Sequence, residues 1–227
     1  MSMTSRFDVC GLIADIENDW KDILEILVIP FESHINDALS EEDQDEISPS
    51  RSNTFAAFKA CSFVDLKVVI IGQDCYHQTG QATGLCFSVR RSTTCPPSLR
   101  NIFKEIEREY KVKRTDTDLT DWAQQGVLLL NTALTVREGH PGSHIKVWRD
   151  FTREIVKYIA ANKQDVVYML WGDFAISFAQ YINATKNCVL THSHPSPLAR
   201  KPFTGNSHFT RCNTYLKQKG KDEILWV

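Results

Sequence analysis

The stretch VVIIGQDCYH, residues 68–77, decides how this chain is read. Val68, Val69, Ile70 and Ile71 form an apolar, β-branched run with no polar alternation, the pattern of a strand covered on both faces, and it predicts a buried strand over 67–71. The run stops at Gly72 and then delivers Gln73, Asp74, Cys75, Tyr76 and His77 side by side. An amide, an acid, a thiol, a phenol and an imidazole at the end of a buried strand call for an explanation beyond folding.

Three more segments repeat the pattern: GVLLLN at 126–131, DVVYMLWG at 165–172 and NCVLTHSHP at 187–195. Between them lie helical periodicities. Ser98 is expected to cap a helix over 99–110, with Leu99, Ile102, Phe103 and Ile106 on one face. Thr120 is expected to cap a short helix before the second strand, and further helices are predicted over 148–161, 174–181 and 209–218. Upstream, residues 12–39 carry apolar positions at helical spacing, interrupted near Pro30, and the polar run at 40–53, SEEDQDEISPSRSN, reads as an exposed loop. Strands alternating with helices predict one α/β domain: a central four-stranded, mostly parallel twisted sheet with helices on both faces. Ligands of such sheets sit outside the carboxyl ends of the strands. There is no internal repeat, no interdomain linker, no G-x-G-x-x-G and no P-loop.

The bulk properties set bounds. A chain of 227 residues, 42% hydrophobic and 24% charged, has the makeup of one large globular domain. No apolar run approaches the ~20 residues of a membrane span, and MSMTSRFDVCGL lacks a basic start leading into a long apolar segment. The expectation is a soluble intracellular monomer. Seven scattered cysteines without one C-x-x-C pair argue against a zinc ribbon or a disulfide framework and fit a reducing compartment. The net charge of −2 conceals an asymmetry: residues 1–50 hold 2 Lys/Arg against 13 Asp/Glu, residues 51–227 hold 24 against 15. Such a chain can present a basic face away from its acidic segment.

If the sheet is parallel, its four strand ends meet on one rim, bringing Asp74, Asn131, Gly172-Asp173 and His192-Ser193-His194 together. Singly each is weak: an Asp or Asn after a strand ordinarily serves a turn or a cap. HSH lacks partners at metal-ligand spacing, so no metal site is assigned. The joint placement carries more than any one residue.

In order along the chain, GQDCYH, GQATGLCFSV, PPSL, GVLLLN and HPSPLA resemble the motifs of the uracil-DNA glycosylase family, in its family I form, from about residue 53 to 226. The resemblance implies a catalytic core over 53–227, with 1–52 as a helical region and acidic loop packed on it. It implies hydrolysis of the bond between uracil and deoxyribose after the base leaves the stack, as the opening step of base excision repair, with neither a metal nor an organic cofactor. Asp74 would orient the attacking water and stabilise the cationic sugar, and His194 would donate to uracil O2. Phe87 would stack on the base, Asn131 would read its O4 and N3–H edge, Tyr76 would exclude the thymine methyl, Gln73 would contact the base through its backbone, and His77 would support Asp74. Pro96, Pro97, Ser98, Gly172, Asp173 and Ser196 would grip phosphates, Leu198 would wedge into the gap left by the base, and Arg200, Lys201 and Arg211 would add basic contacts.

The implied partner is uracil-containing DNA, single- or double-stranded, with protein inhibitors or replication proteins as further partners. The implied workplace is the nucleus for a eukaryotic or eukaryote-infecting viral source and the cytoplasm otherwise. The competing class is a DNA-binding accessory subunit with the same fold and little catalysis. The sequence departs from the family pattern at Cys75, where proline is usual, and at Asp173, where serine is usual. Cys95 and Ala199 also depart from it. Cys75 is expected to loosen the loop that holds Asp74, Asp173 to turn away and cap the following helix, and the set to weaken DNA binding.

Overall fold

The computed structural model describes residues 6–43 and 46–227; residues 1–5 of the N-terminal stretch and 44–45 of the polar run lie outside the described residues. Four strands, β2 (Val68–Gly72), β3 (Val127–Asn131), β5 (Val167–Trp171) and β6 (Cys188–His192), form a sheet of order β3-β2-β5-β6, parallel at every pairing. β2, β3 and β5 are buried along their whole length, as continuous apolar runs in a doubly covered sheet must be. β6 lies at one edge and is only partly covered.

The helices are α1 (Val9–Ala14), α2 (Trp20–Val28), α3 (Glu32–Ser40), α4 (Ala56–Ala60), α5 (Pro97–Tyr110), α6 (Thr120–Ala123), α7 (Ile145–Asn162), α8 (Asp173–Ile176) and α9 (His208–Gln218). The N-terminal helices are knitted onto the rest. Phe7 meets Trp148 edge-on at 6.4 Å between ring centroids, and Phe31 packs on Phe151 at 6.1 Å. Trp20 Nε1 donates to the Cys61 carbonyl at 2.8 Å, and the Asp19 carboxylate accepts the backbone N–H groups of Phe63 and Val64. No described helix is long and apolar enough to cross a membrane.

Several local expectations are corrected. Ser98 does not cap α5: the helix starts at Pro97 with Pro96 at the cap and no side-chain cap bond. Proline supplies a preset φ and lacks an N–H that would be orphaned there anyway. Thr120 is the first residue of α6, and Asp118 does the capping work, its Oδ1 accepting the Thr120 N–H at 3.0 Å. The helix expected over 174–181 splits into α8 and a tighter 3₁₀ turn, Ser177–Tyr181.

The polar run at 40–53 is not wholly an exposed loop. Ile47 and Ser48 are buried as a short strand, β1 (Ile47–Ser48), antiparallel to β4 (Val136–Arg137). One apolar residue among acids gave no periodic signal, and its partner lies about ninety positions away.

Candidate active site

The chain leaves β2 toward β3 on one side and later returns to β5 and β6 on the other. The point where the direction reverses lies between the carboxyl ends of β2 and β5, where a crevice must open. Gln73 and Asp74 emerge from one lip, Gly172 and Asp173 from the other. Asn131 ends the neighbouring β3, in register with Gly72, and His192 ends β6, in register with Trp171.

Both rim glycines are dictated by what lies against them. A Cβ on Gly72 would sit 2.4 Å from Asn131 Oδ1 and 2.9 Å from Cys86 Cβ. Gly172 has φ +88°, and a Cβ there would come within 2.9 Å of His194 Cβ. These two positions let Asn131 lie against the end of β2 and His194 against the end of β5.

Asp74 is half-buried. Its Oδ2 accepts the backbone N–H of Gly142, while Oδ1 is buried without a hydrogen-bond partner among the described residues. Burial holds its carboxyl above the usual carboxylate range, against the lowering effect of the Gly142 and Cys75 N–H groups and of His144 and His77. One oxygen of the acid is thus anchored while the other keeps its acceptor capacity. His77 Nδ1 is likewise buried and unpartnered within the described residues.

His194 has its tautomer fixed by the backbone. Nδ1 accepts the N–H of Ser196 at 3.0 Å, so the ring proton of the neutral imidazole is on Nε2. Burial lowers its pKa, which keeps it neutral near pH 7. Phe87 faces it across 6.0 Å between centroids and packs on Trp171 at 5.7 Å. Phe87 sits in the left-handed region at φ +64°, strained for an aromatic residue, and such strain concentrates at functional sites. Tyr76 Oη donates to the Phe87 carbonyl at 3.3 Å, joining the two aromatic walls.

Asn131 is buried, and its Nδ2 donates to Cys75 Sγ at 3.4 Å. Sγ in turn lies 3.4 Å from the carbonyls of Ala133 and Leu134. Burial pushes the thiol well above its ordinary value, so it keeps its proton and can donate to one of them. The cysteine therefore ties its loop to the chain after β3 and helps orient the Asn131 amide. A proline ring could do neither. The Gln73 carbonyl is committed, accepting from Thr132 Oγ1 at 2.9 Å and the Ala133 N–H at 3.0 Å. The backbone contact expected of Gln73 is thus left to its N–H.

The loops expected to meet phosphates lie around this core. Pro96 and Pro97 line a cleft of about 340 Å³ with Tyr76, His77 and Arg100. Asn101 Nδ2 donates to the Pro195 carbonyl at 2.8 Å, tying α5 to the loop after β6. On that loop Leu198 is 92% exposed, its N–H held by Ser196 Oγ at 3.2 Å. Asp173 opens α8 but makes no cap hydrogen bond, contrary to expectation, because Gly172 occupies the cap position. It lines a cleft of about 600 Å³ with His194, Leu198, Arg200 and Lys201. Arg211 lies exposed on α9. Sequence reasoning missed Gly142 and Asn101, and gave Trp171 a place at the end of the third strand but no role. EGHPGSH, residues 138–144, signals only a turn, and nothing local shows that its amide reaches an acid 68 positions earlier.

A profile of the uracil DNA glycosylase superfamily matches residues 58–217. The chain belongs to that superfamily. It is 47% identical to the uracil-DNA glycosylase of Borrelia turicatae, covering 92% of this chain and 97% of the relative. The crystal structure of mimivirus uracil-DNA glycosylase superposes with a TM-score of 0.87 at 26% identity, covering 96% of this chain and 88% of that one. A variant of the mimivirus protein solved in complex with UGI gives 0.88 at 26% identity, covering 97% and 91%. The family expected from the five motifs and the parallel α/β fold expected from the alternation of strands and helices are both borne out.

Proposed function

We propose that this chain is a monofunctional uracil-DNA glycosylase that flips uracil from DNA and hydrolyses its N-glycosidic bond, leaving an abasic site. The observation that carries the reading is the convergence, at the β2–β5 crevice, of Asp74 with one oxygen unpartnered and His194 with its proton on Nε2.

The bond breaks toward a cationic sugar and a uracil anion, so it needs opposite stabilisations on its two sides. Asp74, ionised, stabilises the oxocarbenium-like sugar and orients water through Oδ1. His194 donates from Nε2 to uracil O2 as negative charge gathers there. Phe87 stacks on the ring, and Asn131 presents Oδ1 to N3–H and the second Nδ2 hydrogen to O4. Cytosine offers the reverse polarity and leaves buried groups unpaired. Tyr76, held by its bond to the Phe87 carbonyl, stands where a thymine methyl would go, and His77 supports Asp74 from behind. The loops at Pro96–Ser98, Gly172–Asp173 and Ser196 bind phosphates through backbone N–H groups, and Leu198 fills the vacated stack. The substrate is uracil-containing DNA in single or double strands. The protein acts as a monomer in the compartment that holds the genome, and a protein inhibitor that covers the DNA-binding face is a further expected partner.

The test is uracil release from a single-stranded oligonucleotide in EDTA, with thymine and cytosine controls. The expected result is release that spares both controls, and a fall of about 10³-fold in kcat for Asp74→Asn. Because the ionised carboxylate is the working form and burial raises its pKa, kcat should rise with pH through a limb above the ordinary carboxylate range, and that limb should vanish in Asp74→Asn. Tyr76→Ala should begin to release thymine. Folded protein that binds DNA without releasing uracil would leave the accessory-subunit reading.

A further inference from the structure

The acidic run upstream of the core reaches the reaction centre by a route no motif contains. Glu42 Oε2 lies 3.0 Å from Nε2 of His144, which is buried. The other ring nitrogen, Nδ1, is 2.8 Å from Thr135 Oγ1, and that hydroxyl already accepts the indole N–H of Trp148 at 2.7 Å. A carboxylate oxygen only accepts, so the imidazole donates its Nε2–H to Glu42, and Nδ1 of the neutral ring then accepts the Thr135 hydroxyl hydrogen. His144 stands two residues after Gly142, whose N–H holds Asp74 Oδ2, and the turn between them is tight: Ile145 N–H bonds the Gly142 carbonyl at 3.2 Å.

The same run grips the other side of this turn. Glu46 O accepts the Glu138 N–H at 2.7 Å, the Glu46 carboxylate pairs with Arg137, and Ile47 and Ser48 pair with Arg137 and Val136. The Gly139 N–H bonds the His77 carbonyl at 2.8 Å, which closes the ring back onto the Asp74 loop.

We propose that Glu42 is a positioning residue of the glycosylase reaction: through His144 it fixes the 139–144 turn so that the Gly142 N–H stays on Asp74. The inference rests on the reading of Asp74 as the carboxylate that acts on the sugar. The groups facing that carboxylate are the Gly142 and Cys75 N–H groups, His77 and His144, and Glu42 sits on the far side of His144. An N–H on Oδ2 favours the charged form. Letting it drift must disfavour ionisation and move the acid limb of activity to higher pH.

The experiment compares Glu42→Ala, Glu42→Gln and Glu42→Asp with the unaltered chain and with Asp74→Asn, using a single-stranded uracil oligonucleotide across pH. Glu42→Ala is expected to lose about tenfold in kcat with KM for DNA unchanged, and to shift its acid limb upward. Glu42→Gln keeps an acceptor for the Nε2–H and should restore both toward the unaltered values. Glu42→Asp, whose oxygen is withdrawn by one methylene, should fall between and serves if the alanine variant does not fold. An acid limb that stays put in Glu42→Ala, or in Glu42→Asp if only that folds, overturns the proposal, as does a Glu42→Gln that behaves like Glu42→Ala. If Asp74→Asn keeps full activity, the reading of Asp74 itself has failed. If Asp74→Asn is inactive and the Glu42 variants are normal, only the brace has failed.

Discussion

The two ends of the parallel sheet both carry clefts of similar size, and they differ in how their polar groups are used. At the amino end, residues before β2, β3 and β5 line a cleft of about 630 Å³ with Lys67, Lys163 and Lys221. There each ammonium is spent on a backbone carbonyl: Lys67 on Asp222, Lys163 on Val64 at 2.8 Å and Lys221 on Asp165 at 2.7 Å. Gln125 bonds Leu225 in both directions. At the carboxyl end, Asp74 Oδ1 and His77 Nδ1 are buried without partners among the described residues, Phe87 holds a strained backbone and Leu198 stands in solvent. Unpartnered buried atoms also occur elsewhere among the described residues, at Trp122 Nε1, Trp226 Nε1 and Glu109 Oε1, so what distinguishes the carboxyl end is that a carboxylate and an imidazole three positions apart both lack partners beside a strained Phe87. Cavity volume does not distinguish it.

Four substitutions sharpen or break this contrast. His194→Ala, which removes the Nε2–H donor, should lower kcat by about 10²–10³-fold with little change in DNA binding; single-turnover kinetics with a uracil oligonucleotide measure it, and a loss confined to KM would deny the role. Gly72→Ala adds a methyl group where Asn131 Oδ1 stands at 2.4 Å, and a displaced amide should cost about 10²-fold in kcat/KM. Its crystal structure should show Asn131 moved and Asp74 in place.

Leu198→Ala should lose about tenfold in kcat/KM on duplex substrate and less on single strands, where no stack has to be filled. Equal losses on both would mean that Leu198 contacts DNA in another way. The smallest effect belongs to the amino end. Lys163→Ala removes the bond to the Val64 carbonyl and the ammonium 4.8 Å from the Phe63 ring, and should destabilise by about 1 kcal/mol. That lowers Tm by about 2–4 °C and leaves turnover unchanged. A fall in turnover there would break the comparison.

Much of the working end was legible in the order of residues because it lies where strands stop. A continuous apolar run followed by polar residues marks both the strand and its exit, and parallel topology then forces the exits together. That logic reached Asp74, Asn131, Gly172 and His194. It failed where local signals compete: Ser98 and Thr120 are good capping types, yet Pro96-Pro97 and Asp118 already hold those helix starts. It also failed for the acidic run, because the burial of Ile47 and the Glu42–His144 contact depend on partners about ninety to a hundred positions away.

Cys75 shows the division most clearly. By itself the residue reads as a departure that loosens a loop. In the fold its thiol meets two carbonyls and the Asn131 amide, so the same atom that replaces a rigid ring anchors the loop by other means.

The sequence alone determined the strand runs, the parallel class, the family and the identity of the polar groups at each strand exit, because these follow from periodicity and short motifs. Only the tertiary structure decided which oxygen of Asp74 is held and which is free, which nitrogen of His194 bears the proton, and that Glu42 of the acidic segment meets His144. Those depend on hydrogen bonds between groups distant in sequence, whose geometry exists only once the chain is packed.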